Sequence, residues 1–211
     1  MQIAALTKQS FIDWEGKTTA VVFTQGCNFR CGYCHNPSLV LPHLFKTHPT
    51  ISELLVYDYL QSRVNWLDGV VITGGEPTLQ PDLRDFIQKV KEMGYDVKLD
   101  TNGTNPQLLD ELISNALIDY VAMDIKTLLT RDCYRKVTGV KNSDLITNIK
   151  QSLAILRQSG INYQLRTTII PKIHNEYVIN RLKLQFTTDN YILQSYREGE
   201  TVGNYLKLQE Q

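Results

Sequence analysis

The chain has 211 residues, and its 22 Lys and Arg are balanced by 22 Asp and Glu. Zero net charge argues against bulk duplex DNA or an anionic membrane surface as a partner, and 42% hydrophobic with 21% charged residues excludes a disordered, collagen-like or coiled-coil chain. No apolar run reaches the roughly 18 residues of a membrane span, and no charged n-region precedes an apolar h-region at the N-terminus, so a cytoplasmic protein is expected.

The predicted elements alternate along the chain. A strand over 18–25 comes first, then a helix over 51–64 with Thr50 as N-cap and Glu53 three residues on. A strand over 69–73 leads to a helix over 81–93 that stops before Gly94. A strand over 95–100 precedes a helix over 106–115 with Pro106 in its first position. After a strand over 120–125 comes an excursion over 129–142. The helix that follows, over 143–159, puts Ile146, Ile149, Leu153 and Leu156 on one face and ends at Gly160. A strand over 163–170, a helix over 176–183 and a strand over 191–194 close the series. Most of these strands read as apolar on both faces, which suits a covered parallel sheet and an α/β domain. A closed eightfold barrel needs about 250 residues, and no glycine fingerprint follows the first strand. The expectation is an open partial (β/α)6 barrel forming one unit over 1–211.

Four cysteines occur, Cys27, Cys31, Cys34 and Cys133, three of them within eight residues. In a reducing compartment such a cluster points to metal binding or catalysis rather than disulfides. Its C-x3-C-x2-C spacing directly follows the first predicted strand, at the carboxyl end of a parallel sheet, where α/β folds carry their active sites. A structural zinc ion wants four ligands, and His35 or the distant Cys133 would have to supply the fourth. Three thiolates in one loop suit three corners of a 4Fe–4S cluster, leaving one iron open to a substrate. Cys133, away from the other three, reads as a small buried hydrophobe.

Three further stretches each follow a predicted strand: Thr73-Gly74-Gly75-Glu76-Pro77, Asp100-Thr101-Asn102-Gly103 and Met123-Asp124-Ile125-Lys126. Together with the cysteine loop they resemble the radical S-adenosylmethionine (SAM) superfamily. The N-terminal half, from Ser10-Phe11-Ile12-Asp13 through Gln25-Gly26-Cys27-Asn28-Phe29-Arg30-Cys31 to Tyr33-Cys34-His35-Asn36-Pro37, resembles anaerobic ribonucleoside-triphosphate reductase activating proteins. It is similar, less closely, to pyruvate formate-lyase activating enzyme. The likeness covers about residues 1–197. Two departures stand out: Trp14-Glu15 replaces an aromatic-proline pair, and Ser195-Tyr196-Arg197 replaces the Pro-Tyr-His of formate-lyase activators.

The resemblance implies that Cys27, Cys31 and Cys34 ligate the cluster and that Tyr33 lies beside the SAM adenine. It implies a hydrogen-bonding neighbour in His35 and a turn at Gly74 and Gly75, fixed by Glu76, that meets the methionine amino group. Asp100, Thr101 and Asp124 are expected beside a monovalent cation, while Lys126 and Arg166 are expected to pair with the SAM carboxylate or ribose oxygens. A salt bridge from these two cations to Asp100 or Asp124 is the plain alternative. The implied activity is reductive SAM cleavage that places a radical on a glycine of a partner enzyme, most closely anaerobic ribonucleotide reductase. A flavodoxin- or ferredoxin-like donor would supply the electron. The alternatives are a small-molecule enzyme related to 7-carboxy-7-deazaguanine synthase and a non-catalytic metal-binding module.

Overall fold

A computed structural model describes residues 1–208; residues 209–211 of the expected 1–211 unit lie outside the described residues. In chain order the elements are β1 (Ile3–Ser10), β2 (Thr19–Thr24), α1 (Pro37–Val40), α2 (Glu53–Gln61), β3 (Gly69–Gly74), α3 (Leu83–Glu92), β4 (Asp96–Thr101), α4 (Pro106–Ser114), β5 (Tyr120–Asp124), α5 (Arg131–Thr138), α6 (Leu145–Ser159), β6 (Asn162–Ile169), α7 (Glu176–Gln185), β7 (Tyr191–Ser195) and α8 (Val202–Leu208). The strands form a seven-stranded sheet in the order β1 to β7, with β1 and β7 as its two edges. From β2 onward every pair is parallel, giving the six expected strands of an open α/β sheet.

Four elements were not expected: β1, α1, α5 and α8. Strand β1 adds an antiparallel edge against β2, with Ile3 opposite Thr24 and Ser10 opposite Thr19. Its apolar residues do not alternate cleanly because an edge strand buries little, and a charged residue such as Lys8 keeps such an edge from pairing with another chain. Helix α8 is short and is treated below. The excursion over 129–142 contains α5, capped by Thr130, whose side chain accepts from the Cys133 N–H, and ended by Gly139 at φ 73°. The N-cap of α2 is Ser52, not Thr50, with its hydroxyl accepting from Leu54 N–H. Helix α3 starts two residues later than expected because Asp82 takes the N-cap position.

Strand alternation separates the two faces of the sheet. One carries Ala20, Val22, Val70, Ile72, Val97, Leu99, Val121 and Met123, packed with Phe86, Ile87, Leu109, Leu112, Ile149, Leu153 and Leu182 of the helices. Each such side chain contributes on the order of 1.5–3 kcal/mol by leaving water. On the other face Val21 and Val71 are sealed by Trp14, whose ring lies 5.8 Å from that of Tyr120. Across β4, β5 and β6 that second face is not apolar as expected. Register places Lys98 beside Tyr120, and Asp124 beside Arg166, so charge replaces hydrophobic cover there. No helix among the described residues is long and apolar enough to cross a membrane.

Candidate active site

The carboxyl ends of β2 to β6 surround a cavity of about 240 Å³ lined by Cys27, Cys31, Cys34, Tyr33, Gly75, Asp124 and Arg166, among others. The cysteine loop leaves β2 and is fastened by main-chain bonds from Gly26 N–H to Leu39 O at 2.7 Å and from Arg30 N–H to Thr138 O at 2.8 Å. The Arg30 guanidinium folds back to donate to the carbonyls of Cys27 at 2.6 Å and Phe29 at 2.8 Å. All four cysteines are free thiols. Burial pushes the Cys27 thiol up to about 12 and the Cys31 thiol up to about 11, and raises Cys34 as well. A bound metal would therefore have to displace protons that the site itself holds firmly.

The donor set fits an iron–sulfur cluster better than a single ion. Three thiols share one cavity, yet among the described residues no three His, Cys, Asp or Glu side chains converge on a single-ion geometry. Two buried polar atoms in the same lining have no hydrogen-bond partner, the Tyr33 hydroxyl and Asp100 Oδ1; Lys98 Nζ stands 3.7 Å from the second, so the Tyr33 hydroxyl is the one left to meet a polar occupant. Cys133 lies on α5, off the cavity, and is only part-buried rather than fully buried as expected.

The glycine turn serves the protein before it serves any ligand. Gly74 sits at φ 114°, and a Cβ there would lie 2.5 Å from Thr24 N; a Cβ on Gly75 would lie 2.0 Å from Gly26 O. The turn docks through Gly75 N–H to Thr24 O at 2.8 Å and Glu76 N–H to Gly26 O at 2.7 Å, tying it to the cysteine loop. Glu76 is 1% exposed. Its Oε1 accepts from Thr78 N–H at 3.1 Å and from the hydroxyls of Thr78 at 2.5 Å and Thr101 at 2.7 Å, while Oε2 accepts from Asn102 N–H at 2.7 Å. Burial raises its pKa and these donors oppose the rise. Glu76 and Thr101 thus face each other beneath the cavity, and strand alternation turns Thr101 away from Asp100.

Asp100, Asp124, Lys126 and Arg166 do converge. Arg166 spans the two carboxylates, Nε donating to Asp124 Oδ1 at 2.9 Å and a terminal nitrogen reaching Asp100 Oδ2 at 3.3 Å. Lys126 Nζ donates to Asp124 Oδ2 at 2.9 Å. Burial would raise the Asp124 pKa, but Arg166 and Lys126 outweigh it and hold the carboxyl down to about 2. Both cations are in turn raised by their acidic neighbours against the opposing effect of burial. His35 Nε2 lies 2.8 Å from Arg197 O, a carbonyl of the chain beyond β7.

Three residues here were not singled out from the sequence. Lys98, buried on β4, donates to the Asp13 carbonyl and lies 3.7 Å from Asp100 Oδ1; its i, i+2 spacing from Asp100 was the available signal. His174 is 2% exposed and braces the site from behind, accepting from Ile170 N–H at 2.9 Å and meeting Lys126 O at 3.0 Å. Asn102 links the β4 end to the cysteine loop through Asn28 Oδ1 at 2.8 Å.

The profile of the Radical SAM superfamily matches residues 21–184. The chain is 35% identical, over 97% of its length and 84% of the relative's, to a candidate glycyl-radical enzyme activating enzyme of Methanocaldococcus jannaschii. It is 29% identical to the pyruvate formate-lyase-activating enzyme of Clostridium pasteurianum, over 82% of this chain and 70% of that one. Among solved structures, Streptococcus suis SuiB bound to S-adenosylmethionine superposes with a TM-score of 0.62 at 17% identity. That match covers 90% of this chain but 47% of SuiB, and the chain spans less than two thirds of the solved structures it resembles. At that identity the likeness is one of fold.

Proposed function

Because the chain belongs to the radical SAM superfamily, we propose that it is the activating enzyme of a glycyl radical partner, most closely an anaerobic ribonucleotide reductase. The observation that carries this is the meeting of three free thiols with a charged strand-end array around one cavity. The relatives named for glycyl-radical enzyme and formate-lyase activation support the class. The reductase assignment rests on the motif resemblance of the N-terminal half.

Cys27, Cys31 and Cys34 would hold three irons of a 4Fe–4S cluster. When bound, that cluster supplies the electron that breaks the sulfonium carbon–sulfur bond of SAM, yielding methionine and a 5′-deoxyadenosyl radical. The protein contributes orientation and charge. Lys126 and Arg166 line the cavity with Asp100 and Asp124, and Lys98 stands beside Asp100. The two cavity cations suit the SAM carboxylate. A monovalent cation beside Asp100, Thr101 and Asp124 would compete with Arg166, whose guanidinium already lies between the two carboxylates; in this reading Arg166 does that work. Tyr33 would flank the adenine. A flavodoxin- or ferredoxin-like protein would deliver the electron.

The test is anaerobic reconstitution with iron and sulfide, followed by SAM, reductant and an anaerobic ribonucleotide reductase. Iron analysis is expected to give about four irons on this chain, and electron paramagnetic resonance a glycyl doublet on the reductase. A doublet on a formate-lyase-type partner alone would move the specificity within the class. No doublet on any glycyl enzyme, with turnover of a pterin-like small molecule, would overturn the activase reading.

A further inference from the structure

The cysteine loop is gripped by a part of the chain that lies beyond the residues matched to the superfamily, which end at 184. Past β7 the chain turns back over the loop. Tyr196 stacks on His35 with ring centroids 5.3 Å apart and 25° between planes, and His35 Nε2 lies 2.8 Å from Arg197 O. Asn204 Oδ1 then accepts from both the N–H and the hydroxyl of Thr201 at 2.8 Å, closing a tight entry into α8. The first residues of α8 reach the loop itself. Val202 N–H donates to Cys34 O at 2.8 Å, and Gly203 N–H donates to Gly32 O at 2.9 Å. Val202 is fully buried with Val40 and Leu41, and Cys27 and Cys34 pack against the same cluster. The contact at Gly203 leaves no room for a side chain: a Cβ there would lie 2.8 Å from Gly32 O.

We propose that the segment over 196–206 is a clasp on the cysteine loop, in which Val202 and Gly203 are positioning residues that set the Gly32–Cys34 main chain for cluster binding. The proposal rests on the cluster reading given above. Its logic is that Gly32 and Cys34 bracket Tyr33 and carry one thiol of the three. Donors that hold both carbonyls fix where that thiol points, and an apolar plug beside Cys27 and Cys34 keeps water from that edge. A segment that favours one loop conformation and a cluster that requires it stabilise each other reciprocally. Loading should therefore order the clasp, and loosening the clasp should release the cluster.

Gly203→Ala in the full chain separates this from a purely helical role for α8. Ala is the better helix former, so an α8 that does not position the loop would shift to take the methyl and leave bleaching at the parental rate. The clasp instead loses its contact with Gly32. The parent, Gly203→Ala, Val202→Asp, Val202→Ile and a core control on α7, Leu182→Ala, are reconstituted anaerobically. Three quantities are read on each: iron per chain, the rate of bleaching of the brown chromophore in air, and the melting midpoint of the metal-free protein. Gly203→Ala and Val202→Asp are expected to bleach several-fold faster than the parent, and Val202→Ile at close to the parental rate. Leu182→Ala is expected to melt lower without bleaching faster. In the parent, hydrogen exchange at the Val202 and Gly203 amides is expected to slow on loading. Parental bleaching in Gly203→Ala, or amide exchange indifferent to loading, would overturn the clasp while leaving the cluster reading intact. A parent that takes up no iron would overturn the cluster reading, and the clasp with it.

Discussion

Glu76 and Asn102 are joined across 26 residues by a main-chain N–H to carboxylate bond of 2.7 Å, which locks the glycine turn after β3 to the end of β4. The carboxylate also takes three donors from Thr78 and Thr101. Glu76→Gln would set an amide N–H₂ against donors at a position that is 1% exposed. A loss of about 1–3 kcal/mol is expected, read by urea unfolding of the metal-free protein. An unchanged midpoint and slope would remove Glu76 as the clamp of the two loops.

Gly75→Ala is expected to lower reconstituted iron content together with SAM affinity. The reason is that the new Cβ would meet Gly26 O at 2.0 Å, a carbonyl of the cysteine loop, before it met any ligand. Iron and SAM binding measured on one sample decide this. Full iron with weakened SAM binding would show instead that the turn yields independently of the loop.

Asp124 carries an acid limb of stability. Its folded pKa of about 2 lies below the ordinary carboxylate value of about 3.9, so its contribution is whole above that value and is lost as pH falls through about 2. Asp124→Asn should flatten the decline of the melting midpoint in that window. It should also cost about 1–3 kcal/mol at neutral pH by leaving Arg166 and Lys126 facing each other. The lower part of that range is favoured because the Asp124 side chain is 32% exposed to the cavity. A parental acid limb in the variant would place the titration elsewhere.

His174 sets a second limb nearer neutrality. Nδ1 accepts from Ile170 N–H, so the ring is neutral with its proton on Nε2 toward Lys126 O. Burial lowers its pKa. With the folded value below the unfolded one of about 6.5, stability is whole above that pH and declines as pH falls toward the folded value. Protection of the Ile170 amide, corrected for its intrinsic exchange rate, should fall over the same range. His174→Leu should be less stable overall yet lose this pH dependence; retention of it would assign the limb to another group.

The local features of the chain were legible without a structure. The C-x3-C-x2-C loop, Gly94 and Gly160 as helix stops and the strand–helix alternation all depend on residues near one another along the chain, where spacing and periodicity act directly. The pairing of Arg166 with Asp124, 42 residues apart, was open as one of two alternatives because parallel register decides which strand-end groups meet. Strand β1 was missed because an edge strand, half in water, shows little periodicity. Helix α8 was missed because a helix of seven residues is too short to be stable by propensity. Its order comes from Val202 in an apolar pocket and from two loop carbonyls more than 160 residues away in the chain. Glu76 was expected to fix its own turn, but tertiary structure alone decided that its oxygens also take Thr101 and Asn102 at the end of β4, since a buried carboxylate takes whatever donors packing brings to it.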